Sequence, residues 1–380
     1  MTIAIDFAGT NIGSGTKTYN INFCNELENL NLKEDIIIYL TQSYFDQIKF
    51  RQKKNPRIKY ITKSNIFSNI FFRLFWMQFI LPFELKIMGV KKMYSPMNFC
   101  PILSKLFNIK IILALHSNLP WVFFHLMPGN IIRNFLTRKL MEFSISACDT
   151  LIVDSYFAKE EIASILKIKK DKIKVIYLGI DNKYLSSECS KNFVKTFSYS
   201  EKYIISVLSC VRYHNILNLL KAFKILINEI DINIKLVLAL QILDNKYYKV
   251  LNRYIVSNFE KDKVVVINNI ESDDLPNFYK YSQLYIFSSY CEVFGLTSLE
   301  AMTQGCPVLI SNTSALPEIN DTASDYFDPD NIIDIKNKIK KILTDKDYKN
   351  ELIKKGEKHF KKFTWENNVE KTLEQIYNLD

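Results

Sequence analysis

The chain has 380 residues, 48% of them hydrophobic, and a formal net charge of +10. This length exceeds one ordinary hydrophobic core, so we expect two domains. The basic excess would suit nucleic acid, anionic lipid or phosphorylated substrates, but the sequence contains no helix-turn-helix, zinc-finger or RNA-recognition pattern, and we expect no nucleic-acid partner. Seven cysteines without a C-x-x-C pair indicate small core residues in a reducing compartment.

Short apolar runs alternate with longer helical patterns along the whole chain. In the first half the predicted strands are 3–7, 36–40, 58–61, 92–94, 111–115 and 150–153, and in the second half 203–207, 235–240, 264–267, 284–287 and 308–310. Such alternation predicts a parallel sheet with helices on both faces in each half. The predicted fold class is α/β, with two Rossmann-like doubly wound domains facing a central cleft. A polar stretch after 176–181 places the domain boundary there.

A glycine-rich loop separates the first predicted strand from a helix expected at about 18–30. It contains Gly9, Gly13 and Gly15, but Thr16 stands directly before Lys17, where a P-loop requires glycine, so we reject a P-loop NTPase. Glycines at a helix N-terminus let the backbone approach a ligand closely. A plain strand-to-helix turn is the alternative, and both interpretations stay open.

The segment 66–90 is rich in Phe, Leu, Ile and Met. Arg73 and Lys86 interrupt it, so its uninterrupted apolar runs are too short to span a membrane. One interpretation is an amphipathic helix on an anionic membrane surface, with the basic residues of 51–59 and 91–92 near the headgroups. The other is a large helix packed inside the N-terminal domain.

His116 directly follows the strand predicted at 111–115. The carboxyl end of a parallel strand is where α/β proteins bind ligands, so this histidine is a candidate catalytic residue. A structural histidine that caps the strand end is the alternative.

Two carboxylates, Glu292 and Glu300, stand eight positions apart around a Phe-Gly turn. The order strand, turn, helix, strand places a helix N-terminus at the carboxyl end of a parallel strand, where backbone N–H groups favour a diphosphate. Carboxylates beside such a site suit the hydroxyls of a sugar nucleotide. Glu300 has an alternative interpretation, because Thr297 to Glu300 fits a helix capping box.

The sequence of these motifs resembles the retaining glycosyltransferases of the large fourth family, glycosyl transferases group 1, which adopt the GT-B fold. The resemblance rests on the E-x7-E pattern of Glu292 and Glu300 and on its continuation through 305–308, 314–318 and 328–329. Residues 176–181 resemble the interdomain strand and turn of the family. The resemblance covers nearly the whole chain and is more specific in the C-terminal half.

The resemblance implies roles for individual residues. His116 and Glu292 would be catalytic, Glu292 by contacting the donor sugar, and Glu300 would bind the ribose. The N–H groups of Phe294, Gly295 and Leu296 would hold the diphosphate and the sugar. Gly13 and Gly15 would line the phosphate and acceptor side. The resemblance also implies no metal and no cofactor, because helix ends and basic residues stabilise the leaving diphosphate.

One position departs from the family pattern. Relatives carry a lysine followed by Asn or Gly where this chain has His214 and Asn215. Histidine carries its charge only part of the time near neutral pH, whereas lysine is always charged. We therefore include Arg212, His214 and Asn215 among the donor-binding residues. Either Arg212 or His214 supplies the missing cation, or the enzyme is weak.

The sequence thus predicts an N-terminal acceptor domain at 1–180, a nucleotide-sugar domain at 181–361 and, by resemblance, a helix at 362–380 that returns to the first domain. The expected partners are a nucleotide sugar, a glycan or lipid-linked acceptor and an anionic membrane surface. We expect a cytoplasmic enzyme, at the inner face of the membrane, that builds bacterial surface polysaccharide. The alternatives are a non-catalytic sugar-nucleotide-binding subunit and a nucleotide-sugar epimerase or phosphorylase-like enzyme.

Overall fold

The computed structural model describes residues 2–8, 14–48, 55–185, 202–271 and 273–379. The chain divides into two compact units. Unit 1 combines Met1–Asn118, Ile132–Asp181 and Phe363–Asp380, and unit 2 combines Leu119–Ile131 with Asn182–Lys362. No helix in the described ranges is long and apolar enough to cross a membrane.

The short segment Leu119–Ile131 was expected in the N-terminal domain, but it groups with unit 2. One contact that ties it there is aromatic, because the rings of Phe123 and Tyr290 lie 6.4 Å apart.

Unit 1 is built on a parallel sheet whose strands follow the order β3-β2-β1-β4-β5-β6-β7 in the described residues. These are β1 Thr2–Phe7, β2 Asp35–Thr41, β3 Ile58–Lys63, β4 Val90–Ser95, β5 Lys110–Leu115, β6 Thr150–Val153 and β7 Ile173–Val175. The six strands predicted in this half are confirmed, most of them one or two residues longer. The strand of the interdomain strand and turn, which the resemblance puts at 176–181, lies earlier: β7 ends at Val175, opposite Val153 of β6.

Unit 2 contains a second parallel sheet, with the strand order β10-β9-β8-β11-β12-β13. Its strands are β8 Tyr203–Cys210, β9 Lys235–Ile242, β10 Val264–Asn268, β11 Leu284–Phe287, β12 Val308–Ser311 and β13 Asp325–Phe327. The five predicted strands are confirmed, and β13 was missed because it is short and begins with a charged residue. Two such sheets confirm the α/β class and the two Rossmann-like domains.

The helices that connect and flank the strands are, in chain order, α1 Ser14–Leu27, α2 Gln42–Phe45, α3 Ile70–Phe75, α4 Leu81–Ile87, α5 Leu119–Val122, α6 Ile131–Ala147, α7 Tyr156–Leu166, α8 Ile216–Glu229, α9 Asn245–Asn258, α10 Leu275–Lys280, α11 Leu296–Thr303, α12 Leu316–Asn320, α13 Ile332–Thr344, α14 Lys346–His359 and α15 Trp365–Tyr377. A π-helical turn, Trp76–Ile80, joins α3 to α4. Helix α1 begins four residues earlier than expected, so Gly15 lies in its first turn.

The helices of unit 1 lie on both faces of its sheet. Right-handed crossovers put α3–α4 (from β3 to β4) and α6 (from β5 to β6) on one face, and α1 (from β1 to β2) on the other. Helix α15 contacts α1, and the ring of Trp365 lies 5.3 Å from that of Tyr19. The six cysteines within the described ranges are buried and form no disulfide, as expected for small core residues.

Each sheet has a switch point, where the strand order reverses: between β1 and β4 in unit 1, and between β8 and β11 in unit 2. Loops that leave two such neighbouring strands diverge to opposite faces and open a crevice at the carboxyl ends. The candidate site residues that fall within the described ranges lie on or beside these loops, and each unit is considered separately.

Candidate functional site

In unit 2 the loops after β8 and β11 are held together at the switch point. The Ser288 hydroxyl donates to the carbonyl oxygen of His214 over 2.7 Å, and the Tyr290 N–H donates to the carbonyl oxygen of Tyr213 over 2.8 Å. These bonds fix the spacing between the loop that carries His214 and the loop that carries Glu292.

The two loops bring the His214 ring to the Glu292 carboxylate. Nε2 of His214 lies 3.4 Å from Oε1 of Glu292, and Nδ1 lies 2.6 Å from the carbonyl oxygen of Ser209. Both partners can only accept hydrogen bonds, so the histidine ring is the donor of the bond between Nδ1 and Ser209. The His214 side chain is 9% exposed and that of Glu292 21%. The sequence predicted both residues, but not that they form a pair.

Asn215 and Arg212 flank His214 and behave differently from each other. Asn215, the N-cap of α8, has φ of 55°, a conformation that asparagine tolerates better than most residues. Its amide donates to the carbonyl oxygen of Pro329 over 2.7 Å. Its side chain therefore positions the loop. Arg212 is exposed, so its charge is accessible to solvent. Its guanidinium lies 5.4 Å from the ring centre of Tyr247.

The Phe-Gly turn ends in the N-terminus of α11. Gly295 is the N-cap, with φ of +85°, and a Cβ there would overlap Cδ2 of Leu316. Glycine is thus required by both the backbone conformation and the packing. The first N–H groups of a helix have no intrahelical acceptor and attract anions. The turn that carries Phe294, Gly295 and Leu296 therefore has the geometry of an anion site.

Glu300 lies on α11, behind this turn. The capping-box interpretation is wrong, because Gly295 and not Thr297 is the N-cap, which makes Glu300 the fifth helical residue. Its carboxylate is buried and accepts a hydrogen bond of 3.3 Å from the hydroxyl of Tyr279. Burial first, and the Glu300 carboxylate next, raise the pKa of Tyr279 well above its usual value, so the phenol remains the donor.

In unit 1, His116 leaves the carboxyl end of β5 and contacts the residue that leaves the neighbouring strand β6. Nδ1 of His116 lies 3.0 Å from both carboxylate oxygens of Asp154, and its backbone N–H donates to Oδ1 of Asn98 over 2.8 Å. Since a carboxylate only accepts, Nδ1 carries the proton in the neutral ring. Nε2 is then the acceptor, and it has no hydrogen-bond partner within the described residues.

Asp154 was missed by the sequence analysis, although a signal existed. It follows the predicted strand at 150–153 just as His116 follows the strand at 111–115, and β5 and β6 are neighbours in the sheet. A side chain at the same end of an adjacent parallel strand lies within reach.

Of the two loop glycines, Gly13 lies outside the described residues. Gly15 is exposed, and a Cβ there would meet nothing within 4 Å, so packing does not require glycine at this position. Within the described ranges, no group of three or more His, Cys, Asp or Glu side chains is arranged to hold a metal ion.

Comparison with protein families gives two matches that together span most of the chain. The model described as Glycosyltransferase Family 4 matches residues 13–184, and that described as Glycosyl transferases group 1 matches residues 190–359.

Among curated proteins, the chain is 26% identical over 251 residues to the serotype-specific mannosyltransferase WbdA of Escherichia coli. That match covers 65% of this chain but only 31% of the relative. The O-antigen chain mannosyltransferase B of E. coli is 25% identical, with 63% of each chain covered.

Solved structures share the fold over the full length. A glycosyltransferase from Rickettsia africae superposes with a TM-score of 0.74 at 17% identity, covering 100% of this chain and 98% of that one. Anabaena Alr3699/HepE, solved in complex with UDP and glucose, gives a TM-score of 0.75 at 14% identity, with 100% of both chains covered. The two family matches and the two doubly wound sheets together establish that this chain belongs to the group 1 glycosyltransferases of the GT-B fold.

Proposed function

We propose that this protein is a retaining glycosyltransferase that moves a sugar from a nucleotide-sugar donor to a glycan or lipid-linked acceptor. The observation that carries the proposal is the pairing of His214 with Glu292 at the switch point of unit 2, beside the Gly295 turn. A basic side chain, a carboxylate and a helix N-terminus in one place match a sugar diphosphate, which offers both negative charge and hydroxyl groups.

In the proposed donor complex the diphosphate accepts hydrogen bonds from the N–H groups of the turn from Phe294 to Leu296. The His214 ring and the exposed Arg212 add positive charge as the leaving nucleoside diphosphate becomes more negative. Groups held in place before the reaction stabilise such charge without reorganising. We therefore propose that transfer needs no bound metal ion and no cofactor.

The two carboxylates have different proposed tasks. Glu292 is partly exposed and accepts hydrogen bonds from hydroxyls of the transferred sugar. Glu300 is buried beside Tyr279 and accepts them from the ribose. The backbone of Glu292 is held from both sides, since its N–H donates to Oγ of Ser314 over 3.1 Å and its carbonyl oxygen accepts from the N–H of Ala315 over 3.2 Å.

His116 is the proposed catalytic residue of unit 1. Asp154 orients the ring, and in this proposal Nε2, a buried atom without a hydrogen-bond partner in the described residues, becomes the nitrogen that bonds the reacting sugar once it is bound. Asp154 itself does not touch the sugar in this proposal, so it is a positioning residue.

The relatives suggest which sugars to test first. Both curated relatives described above are named as mannosyltransferases, the second of them for O-antigen chains, and one similar structure was solved in complex with UDP and glucose. We therefore propose a role in surface polysaccharide synthesis, with a mannose nucleotide as the first donor to test and UDP-glucose as the second.

The test is a thermal-shift screen of nucleotide sugars, followed by incubation of the stabilising donor with oligosaccharide or lipid-linked acceptors, with and without EDTA. We expect transfer in both buffers, retention at the anomeric carbon by NMR, and no transfer by Glu292→Gln. Donor binding without hydrolysis or transfer would instead support a non-catalytic subunit. A new epimeric nucleotide sugar without acceptor would support the epimerase, and loss in EDTA restored by manganese would refute metal independence.

A further inference from the structure

A row of large apolar side chains lies on the outer surface of the helical segment 70–87 in unit 1. Its members recur every fourth residue and are between 56% and 86% exposed: Phe71, Phe75, Phe79, Phe83 and Ile87. Soluble monomers seldom expose a contiguous apolar surface of this kind, and one that does occur usually marks an interaction site.

The same segment has a buried side, so it is a packed helix and not an unfolded stretch. Trp76, Met77, Leu81 and Leu85 are at most 2% exposed, and α4 contacts β4 of the sheet. In an α-helix a four-residue step drifts by ~40° around the axis. The π-turn Trp76–Ile80 adds a residue to one turn and offsets part of this drift, which keeps the row on one side.

The exposed surface continues onto the neighbouring 3₁₀ segment Ile102–Phe107. The rings of Phe83 and Phe107 lie 5.1 Å apart, Leu106 is 76% exposed, and Oε1 of Gln78 accepts from the N–H of Ile102 over 2.9 Å. We call the exposed side chains of 70–87 together with Leu106 the aromatic face.

Helix α6 lies on the same face of the sheet and is tied to the same loop. The amide of Gln78 donates to the carbonyl oxygen of Cys100 over 2.8 Å, and Oγ of Ser144 on α6 accepts from the N–H of Cys100 over 3.2 Å. The outward side of α6 is again apolar, with exposed Ile132, Phe135, Leu136 and Phe143.

The charges next to the aromatic face are positive. Glu84 pairs with Lys63 at 2.9 Å, and Glu142 on α6 pairs with Lys139 at 2.7 Å, so these acids are neutralised. Lys86 is exposed, with Nζ 4.6 Å from the ring centre of Phe107, and Lys91 is exposed at the start of β4.

Not every basic residue of this part of the chain adds to that exposed charge. Arg73 is 1% exposed, and its Nη2 lies 3.6 Å from Oδ2 of the buried Asp6. Of the basic residues in 51–59, Arg51, Lys53 and Lys54 lie outside the described residues, and Arg57 pairs with Asp35 at 3.4 Å.

We propose that the aromatic face docks on the surface of a bilayer that contains anionic lipid. A helix that lies in a membrane interface presents Phe and Leu to the acyl boundary and Lys to the headgroups, which is the arrangement of Phe75, Phe79 and Ile87 with Lys86 and Lys91. Charge complementarity favours anionic lipid over a second copy of this basic chain. This inference concerns attachment and does not depend on the proposed transfer reaction.

The test is flotation of the full chain with vesicles of phosphatidylcholine alone or mixed with phosphatidylglycerol. We expect binding to the mixed vesicles that weakens at high salt, because surface charges are then screened. Lys86→Gln/Lys91→Gln should weaken partitioning by roughly 30-fold, since each cation near such a surface contributes about 1 kcal/mol, or about fivefold. Phe75→Ser/Phe79→Ser should weaken it by about tenfold or more, because two apolar groups no longer insert.

Matched controls lie on α9 in unit 2. Val250→Ser/Val256→Ser removes side chains that are 42% and 74% exposed, and Lys246→Gln/Lys249→Gln removes two exposed cations. Both should bind vesicles as the unchanged chain does, and circular dichroism melts verify that every variant is folded.

Three results would overturn the proposal. One is no binding to either kind of vesicle, and another is binding by the aromatic-face variants that equals that of the α9 controls. The third is sedimentation showing a lipid-independent dimer that Phe75→Ser/Phe79→Ser converts to a monomer, which would assign the face to a second copy of the chain.

Discussion

The contact between His116 and Asp154 permits a sharp test of the role proposed for His116 in unit 1. Asp154→Asn keeps the size of the side chain but removes the charge that both oxygens, 3.0 Å from Nδ1, present to the ring. A hydrogen bond to a charged group contributes about 1.5–3 kcal/mol. If Asp154 holds the His116 ring in the orientation that the transition state needs, kcat of Asp154→Asn should fall about ten- to a hundredfold. The KM for the donor should be nearly unchanged.

The matched control is Asp149→Asn, at the opposite end of the same strand. Asp149 immediately precedes β6 and accepts hydrogen bonds from Lys105 and from the N–H of Ile111, at 2.6 and 2.7 Å. Its loss should lower the melting temperature without a comparable fall in kcat. Steady-state kinetics and thermal melts of both variants separate a positioning role from a purely structural one.

A double variant decides whether Asp154 acts through the histidine. Residues that act as one unit are non-additive, so His116→Ala/Asp154→Asn should have the same kcat as His116→Ala alone. Additive losses, or an Asp154→Asn enzyme as active as the Asp149→Asn control, would refute the positioning role.

Three further outcomes are expected. Glu292→Gln should abolish transfer while Glu300→Gln mainly weakens nucleotide affinity, by about 1.5–3 kcal/mol for the lost charged acceptor, as measured by calorimetry; unchanged affinity in Glu300→Gln would contradict the ribose assignment. His214→Lys should hold or raise donor affinity at pH 8, and a loss would show that the ring has another task. Gly179→Ala should lower the melting temperature, because a Cβ there would overlap the backbone at the start of α15, whereas Gly15→Ala, with open space around it, should melt as the unchanged chain does.

Much of the sheet could be predicted because strands that are buried on both faces are nearly continuous apolar runs. Leu284–Phe287 is such a run, bounded by polar residues, and it was predicted with its correct ends. Asp325–Phe327 has only three residues and no apolar run, so no local signal distinguishes it from a loop. Its pairing with Val308–Ser311 depends on the tertiary structure.

For the segment 66–90, too, the sequence did not decide which side chains are buried and which are exposed. Its composition was compatible with a helix packed in the core and with a helix at a membrane surface. The structure shows a buried apolar side and an exposed apolar side on one segment, because Trp76 and Met77 are buried while Phe75 and Phe79 are exposed. A regular helical period would have separated these sides, but the π-turn interrupts it.

The sequence by itself determined the fold class, the two carboxylates of the E-x7-E motif and the turn at Gly295, because each rests on residues close together in the chain. Only the tertiary structure decided that His214 meets Glu292 and that His116 meets Asp154. The physical reason is strand order: the spacing of residues along the chain defines each strand and its turn, but side chains from two loops meet only when their strands are neighbours in the sheet.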